Sequence, residues 1–234
     1  METGKTGKYF KYAIGEIILV VIGILIALQV NNWNENRKLR NTQTKYLEQL
    51  EVDIDSMSFQ YKGLVSYQKE KLTKARDAFN TLKSCKITAV QKNGLDELLL
   101  AFNEALVLFQ IRDTYDEMLS ANILASIEDT QFKSTISEFF AQREAMQIYI
   151  NEFRQDLSLD YGVIKEHVAF GFDSTNQRTA AYNIAEICNN PDFMNAIVEV
   201  IKIRENFYQM VFILSQKLER MQGLLKIEKH ENLN

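Results

Sequence analysis

The sequence predicts an all-α protein in which a single amino-terminal transmembrane helix is followed by an elongated up-and-down four-helix bundle. Three observations carry that reading. Tyr12–Val30, YAIGEIILVVIGILIALQV, holds nineteen residues with only Glu16 and Gln29 polar and no basic group. At ~1.5 Å per residue it covers roughly 28 Å of a hydrocarbon core about 30 Å thick. Nine glycines and one proline are few for 234 residues, and 46% hydrophobic residues exclude a disordered chain. Beyond the apolar stretch, apolar side chains recur at three- and four-residue steps, the period of one helix face.

Hydrocarbon offers a backbone no water to bond, so a single segment crosses it only as a helix. A cleaved signal peptide has an apolar run of about 7–15 residues before a small-x-small exit. This run is longer and leaves through Ala27-Leu28-Gln29, so it reads as an uncleaved anchor. The expected organisation is a short cytoplasmic tail at 1–11, the span at 12–30, a juxtamembrane segment at 31–38, an extracytoplasmic bundle at 39–228 and a frayed tail at 229–234. Lys5, Lys8 and Lys11 precede the span while Arg37, Lys38 and Arg40 follow it, so the basic flanks nearly tie as an orientation signal. The short leading tail favours an amino terminus inside. Tyr12 on one side and Trp33, the only tryptophan, on the other read as aromatic anchors at the two interfaces.

Glu16 is the residue that breaks a rule, because an ionisable group inside a span is costly. Three readings stand. It lies only four residues inside Tyr12 and can snorkel to the interface. On a helical wheel it falls between Gly23 and Ala27, the small pair of a small-xxx-small step, which suggests a hydrogen bond between helices of an oligomer. The same placement would suit a proton or ion pathway.

After the span, Asn31-Asn32-Trp33-Asn34-Glu35-Asn36 is poor helix-forming sequence and is expected to fray, kink or turn at the membrane surface. A long helix follows, with Leu50, Ile54, Met57, Tyr61 and Leu64 among its apolar stripe, and the pattern lapses over Ser84–Gly94. A second helical region from near Leu95 carries a broad apolar face through Phe109. Thr114-Tyr115-Asp116-Glu117 fits a capping box and predicts an interruption near Arg112–Asp113. The third helix starts at Thr130 and runs through Phe132, Ile136, Phe139, Arg143 and Ile150 to Val168. Gly171–Asn176 ends it, and Thr179–Cys188 is expected to be a short helical piece. Asn190-Pro191 is a cap followed by a first helical residue and opens the last helix. Four segments joined by short turns pack most simply up and down. A helical arrangement that closes its core only in a dimer is the second architecture.

Lys8–Lys38, KYFKYAIGEIILVVIGILIALQVNNWNENRK, resembles the signature opening of a family from Flavobacteria and related Bacteroidota whose function is unknown. Glu117–Asp129, EMLSANILASIED, resembles a second recurring segment of that family, which usually has glycine where Asn122 stands. Asparagine tolerates a left-handed backbone next best, so a turn and a continuous helix both fit. The resemblance implies a single-pass inner-membrane protein with a helical domain outside the cytoplasm. It implies no catalytic residues.

Charge narrows the partners. Residues 1–40 carry a net +3 within a total of −4, so the remainder is acidic, which argues against nucleic acid. Lipase, zinc-protease, phosphate-loop and dinucleotide motifs are missing from the sequence. His167 and His230 lack motif-spaced cysteines or a nearby second histidine, so neither a metal nor another cofactor is expected, and a lone histidine on a polar face reads as solvated. The carboxylate pairs Asp156/Asp160 and Glu48/Glu51 read as surface. Cys85 and Cys188 both fall at the bundle end farthest from the membrane, where either a disulfide or two separately packed thiols is possible. The leading function is therefore a non-enzymatic, membrane-anchored interaction or scaffold protein. Its expected partners are the lipid bilayer, further copies of itself and another membrane protein. A periplasmic ligand-binding module acting through a membrane partner, and a stator or channel subunit using Glu16, are the alternatives.

Overall fold

A computed structural model describes residues 6–101, 106–109 and 111–232. The side chains of Tyr12, Asp156, Asp160 and His230 lie outside the described residues. In chain order the elements are α1 (Thr6–Lys83), α2 (Ala89–Leu100), α3 (Asp113–Ser120), α4 (Ile123–Ser126), α5 (Thr130–His167), β1 (Val168–Phe172), β2 (Arg178–Tyr182), α6 (Ile184–Ile187) and α7 (Pro191–Asn232).

The protein is helical, with one departure at its membrane end from the expectation. α1 is a single helix of 78 residues that passes through Asn31–Asn36 without a break. The weak propensity there amounts to a few tenths of a kcal/mol per residue, which helix cooperativity overrides when strong helix lies on both sides. Local pairs assist: Lys38 bonds Glu35 at 3.1 Å, and the Arg37 guanidinium lies 5.1 Å from the centre of the Trp33 ring.

α1 packs against α7, α5 packs against α7, and α2 and α3 lie along α1. Cross-helix pairs fix the directions. Lys62–Glu219 at 3.1 Å and Arg76–Glu205 at 2.6 Å run α7 antiparallel to α1. Lys217–Glu138 at 3.0 Å and Asn206–Tyr149 at 3.5 Å run α5 antiparallel to α7. The chain thus rises, returns, rises and returns.

The first return is not the long helix that the apolar face from Leu95 to Phe109 suggests. Leu106–Phe109 is not helical, although Leu106 and Leu108 are buried. Side chains from the other helices take over the backbone bonding here. Arg204 of α7 donates to the Ala101 carbonyl, and Arg143 Nε of α5 donates to the Phe109 carbonyl at 2.9 Å. α3 then begins at Asp113, one residue before the expected cap, so Thr114 is buried inside the helix instead of capping it. Asn122 adopts φ 57°, and the backbone turns at that left-handed position between α3 and α4. Among the described residues, three long helices and this broken strut stand where four long helices were expected.

The segment after α5 is also corrected. β1 and β2 form an antiparallel hairpin in which Phe170 faces Ala180, where a helical piece from Thr179 was expected. Asp173 Oδ1 accepts from the Thr175 and Gln177 amides at 2.8 and 2.9 Å and closes the turn. Tyr182 Oη then donates to Asp96 of α2 at 2.6 Å, tying the hairpin to the bundle. Helix starts follow simple capping: Asp129 accepts from Gln131 and Phe132, and Asn190 accepts from Asp192 and Phe193 ahead of α7.

Two cores stack along the long axis. The one nearer the apolar stretch joins Leu47, Ile54, Tyr61, Phe132, Phe139 and Leu218, and the distal one joins Leu82, Leu95, Ile164, Ile187, Phe193 and Ile197.

Candidate site in the membrane and at its surface

The apolar stretch is the largest feature that the chain's own packing leaves unused. Every described side chain from 14 to 32 is exposed, and the helix is long and apolar enough to cross a membrane. Ile18, Leu19, Ile22, Leu25 and Ile26 are each more than half exposed or at half, a state that water would penalise by about 25 cal/mol per Å² of apolar surface.

Glu16, Gly23 and Ala27 share one face of α1 and touch no other element. A Cβ added at Gly23 would meet nothing within 4 Å, so the chain's own fold gives no packing reason for this glycine. A backbone left bare there permits close approach of another helix.

Roughly the next three turns stand between the apolar stretch and the body, which begins at buried Gln43. Trp33 is 62% exposed and carries Arg37 over its ring. Where α1 enters the body, Gln43 Nε2 donates to the Ser126 carbonyl at 2.9 Å and to its hydroxyl at 2.8 Å. Beside this contact lies a crevice of about 360 Å³, lined by Asn36, Leu39, Arg40, Glu128 and Glu228. Its lining is mixed in charge.

At the opposite end, Cys85 and Cys188 are joined, with Cα atoms 5.5 Å apart and a sequence separation of 103. Cys85 adopts φ 51°, which turns the chain out of α1. The bond ties the end of α1 to the start of α7. His167 sits beside it and is less solvated than a polar-face reading implies. Its Nδ1 lies 2.9 Å from Glu186 and its Nε2 lies 2.9 Å from the Asn190 amide, so the ring links α5, α6 and the α7 cap. Among the described residues no group of His, Cys, Asp and Glu side chains is arranged to hold a metal.

Two tyrosines have perturbed hydroxyls. Burial pushes Tyr61 up to about 12, with Arg143 opposing the shift, and burial with the Asp96 hydrogen bond pushes Tyr182 up as well. Tyr61 Oη donates to the Phe109 carbonyl at 3.5 Å, and Tyr182 Oη donates to Asp96 at 2.6 Å.

Sequence reasoning placed Trp33 and the cysteines but missed Arg37 over Trp33, His167 between two elements, and Arg143 and Arg204 on the strut carbonyls. The first was readable, since Trp33 and Arg37 are four residues apart and neighbours on any helix. The others depend on tertiary contacts between distant positions. No curated protein matches this chain, and no solved structure does. Residues 16–206, from the apolar stretch into α7, match a family of unknown function, DUF6090, and the chain belongs to that family.

Proposed function

We propose that the protein is a non-enzymatic interaction or scaffold protein, held in a bacterial inner membrane by residues 12–30, with its helical body on the periplasmic side. It self-associates through the face bearing Glu16, Gly23 and Ala27. The observation that carries the anchor reading is the run of exposed side chains from Ile14 to Val30 on a helix that also forms the spine of the body. Lipid is the solvent that makes such exposure favourable. The open face at Gly23 supports self-association, because small residues let two backbones approach in a bilayer. The pairing of Cys85 with Cys188 supports an oxidising compartment for the body, since such bonds persist there and seldom in the cytoplasm.

Alkaline phosphatase fused after Lys45 tests orientation: activity is expected, and an inactive fusion together with an active cytoplasmic reporter overturns it. Gly23→Ile tests the membrane contact. In a membrane two-hybrid assay of the segment the signal should fall, and an unchanged signal removes this face from the association.

A further inference from the structure

We infer that Trp33, Arg37 and Arg40 form a binding site for the phosphate headgroup of anionic phospholipid, on the face of α1 that emerges from the bilayer. The inference rests on the apolar stretch being a membrane span. It adds a ligand class to it.

Trp33, Arg37 and Arg40 are spaced i, i+4 and i+7, so they stand on one face of α1, which is helical throughout this region. They share this open surface of α1 with Asn41, Lys45 and Glu48, which sets three cations against one carboxylate. The cations differ in what holds them. Lys38, on another face, is paired with Glu35 at 3.1 Å, whereas among the described residues Arg37 and Arg40 reach no carboxylate. Arg37 is held over the Trp33 ring, which orients its guanidinium and leaves its hydrogen-bond donors for another acceptor.

Height along the helix selects the occupant. If hydrocarbon ends near Val30, Arg37 is roughly 10 Å and Arg40 roughly 15 Å farther along the axis, at ~1.5 Å per residue. The headgroup layer extends about 5–8 Å beyond the hydrocarbon. Side chains on a helix tilt toward its amino terminus, and the amino terminus of α1 points into the membrane. Long arginines above the headgroups therefore reach down to them, while the Trp33 ring sits at their level. A guanidinium binds phosphate oxygens in a two-pronged fashion that an ammonium does not match. Charge selects among lipids: Arg40 also borders the crevice with Glu128 and Glu228, so Arg37 is the stronger of the two contacts.

The test uses the full chain in reconstituted bilayers, with Trp33 as its only tryptophan and therefore the sole indole reporter. Acyl-brominated phosphatidylglycerol and acyl-brominated phosphatidylcholine are compared as quenchers at equal mole fraction in an otherwise identical mixture. The anionic lipid should be preferred roughly fivefold, the order expected of one basic side chain at a charged surface. In Arg37→Gln/Arg40→Gln the ratio should fall to about one, and in Lys38→Gln it should stay within about twofold of the parent. Equal quenching by both lipids in the parent protein overturns the proposal, as does a double variant that keeps the preference. Both substituted positions are exposed, so an unchanged helical circular dichroism spectrum is expected and confirms that the body is intact. Quenching by neither lipid would mean that Trp33 is not at a bilayer, which overturns the span itself and is a distinct result.

Discussion

Residues 14–30 and 43–83 belong to one helix, yet they solve the problem of apolar surface in opposite ways. In the second stretch Leu47, Leu50, Ile54, Met57 and Tyr61 are at most 1% exposed, while Val52 and Phe59 on the outer face are 62% and 83% exposed. In the first stretch Leu19, Leu25 and Leu28 point in different directions and all are more than half exposed. A stripe marks burial against protein; an apolar surface on all sides marks burial in lipid. The difference teaches that secondary structure alone does not say what a helix is for. Which side chains find partners within the chain does.

The sharpest test of that contrast pairs two truncations. Phe139 is fully buried, with its ring 6.3 Å from Tyr61 and 5.2 Å from Phe140. Phe139→Ala should lower the unfolding free energy of the body by about 3–5 kcal/mol, from lost burial and the cavity left behind. Leu25→Ala should leave it unchanged, because Leu25 contributes nothing to the body's core. Denaturant titration of the detergent-solubilised protein, followed by circular dichroism, measures both. Equal losses would mean that the apolar stretch packs on the body after all.

The next effect concerns the far end of the same helix. The bond from Cys85 to Cys188 spans 103 residues, and removing it with Cys188→Ser should cost about 2–4 kcal/mol, mainly by freeing the unfolded chain. Thermal unfolding with and without reductant measures the loss in the parent protein. The variant should be insensitive to reductant. Peptide mapping without reduction should recover the linked pair from native membranes.

How much was legible in the sequence follows from how local each determinant is. The apolar stretch, the α5 stripe from Thr130 and the Asn190-Pro191 start of α7 depend on neighbours in sequence, and the structure has helices at those places. The start of α2 is also readable: Thr88 and Gln91 form a reciprocal capping box, with Thr88 seven residues before Leu95. The broken strut was not readable. Leu106 and Leu108 continue the apolar pattern of a helix, while the Phe109 carbonyl is bound by Arg143 and Tyr61 and the Ala101 carbonyl by Arg204, side chains 34, 48 and 103 residues away. The hairpin was hidden for a related reason, since Ala180 and Ala181 favour helix while Asp173 and the Tyr182–Asp96 bond impose a turn and a docked strand. Of the candidate site, the shared face of Glu16, Gly23 and Ala27 follows from their spacing on a helix, and Trp33 stands out as the only tryptophan of the sequence. That Arg37 and Arg40 reach no carboxylate among the described residues required the geometry.

A smaller effect tests the buried half of α1 by pH. The Tyr61 hydroxyl rises from 10.0 to about 12 because burial disfavours the phenolate, the Arg143 charge and hydrogen bond only partly offsetting it. The folded state therefore holds this proton more tightly than the unfolded state. Its contribution is complete below pH 10 and is lost as the pH rises from about 10 to about 12, at a rate of about 1.4 kcal/mol per unit. At pH 11 the parent should have lost roughly 1.4 kcal/mol through this group, and Tyr61→Phe should not show that part of the loss. Tyr182, also shifted upward, remains in the variant and leaves a residual slope of the same sign. Identical alkaline profiles for parent and variant would show that Tyr61 ionises freely in the folded state.

The smallest expected effect is at Phe59, and it probes the outer face of the same helix that Tyr61 occupies from within. Only Gln60 separates these aromatic residues in sequence, but Tyr61 is fully buried while Phe59 is 83% exposed. Removing an exposed ring forfeits almost no burial, and a surface change away from caps and ion pairs falls within about ±0.5 kcal/mol. Phe59→Ser should therefore leave the unfolding midpoint of dilute, detergent-solubilised protein unchanged, in contrast to the loss at Phe139. The measurement is made at two protein concentrations. Ring burial in an assembly would make the parent more stable at the higher concentration and would make the substitution costly only there, because mass action couples association to folding. A loss in the dilute sample would instead mean that Phe59 packs within its own chain, and the inner-against-outer division of α1 would fail at the residue where it is widest.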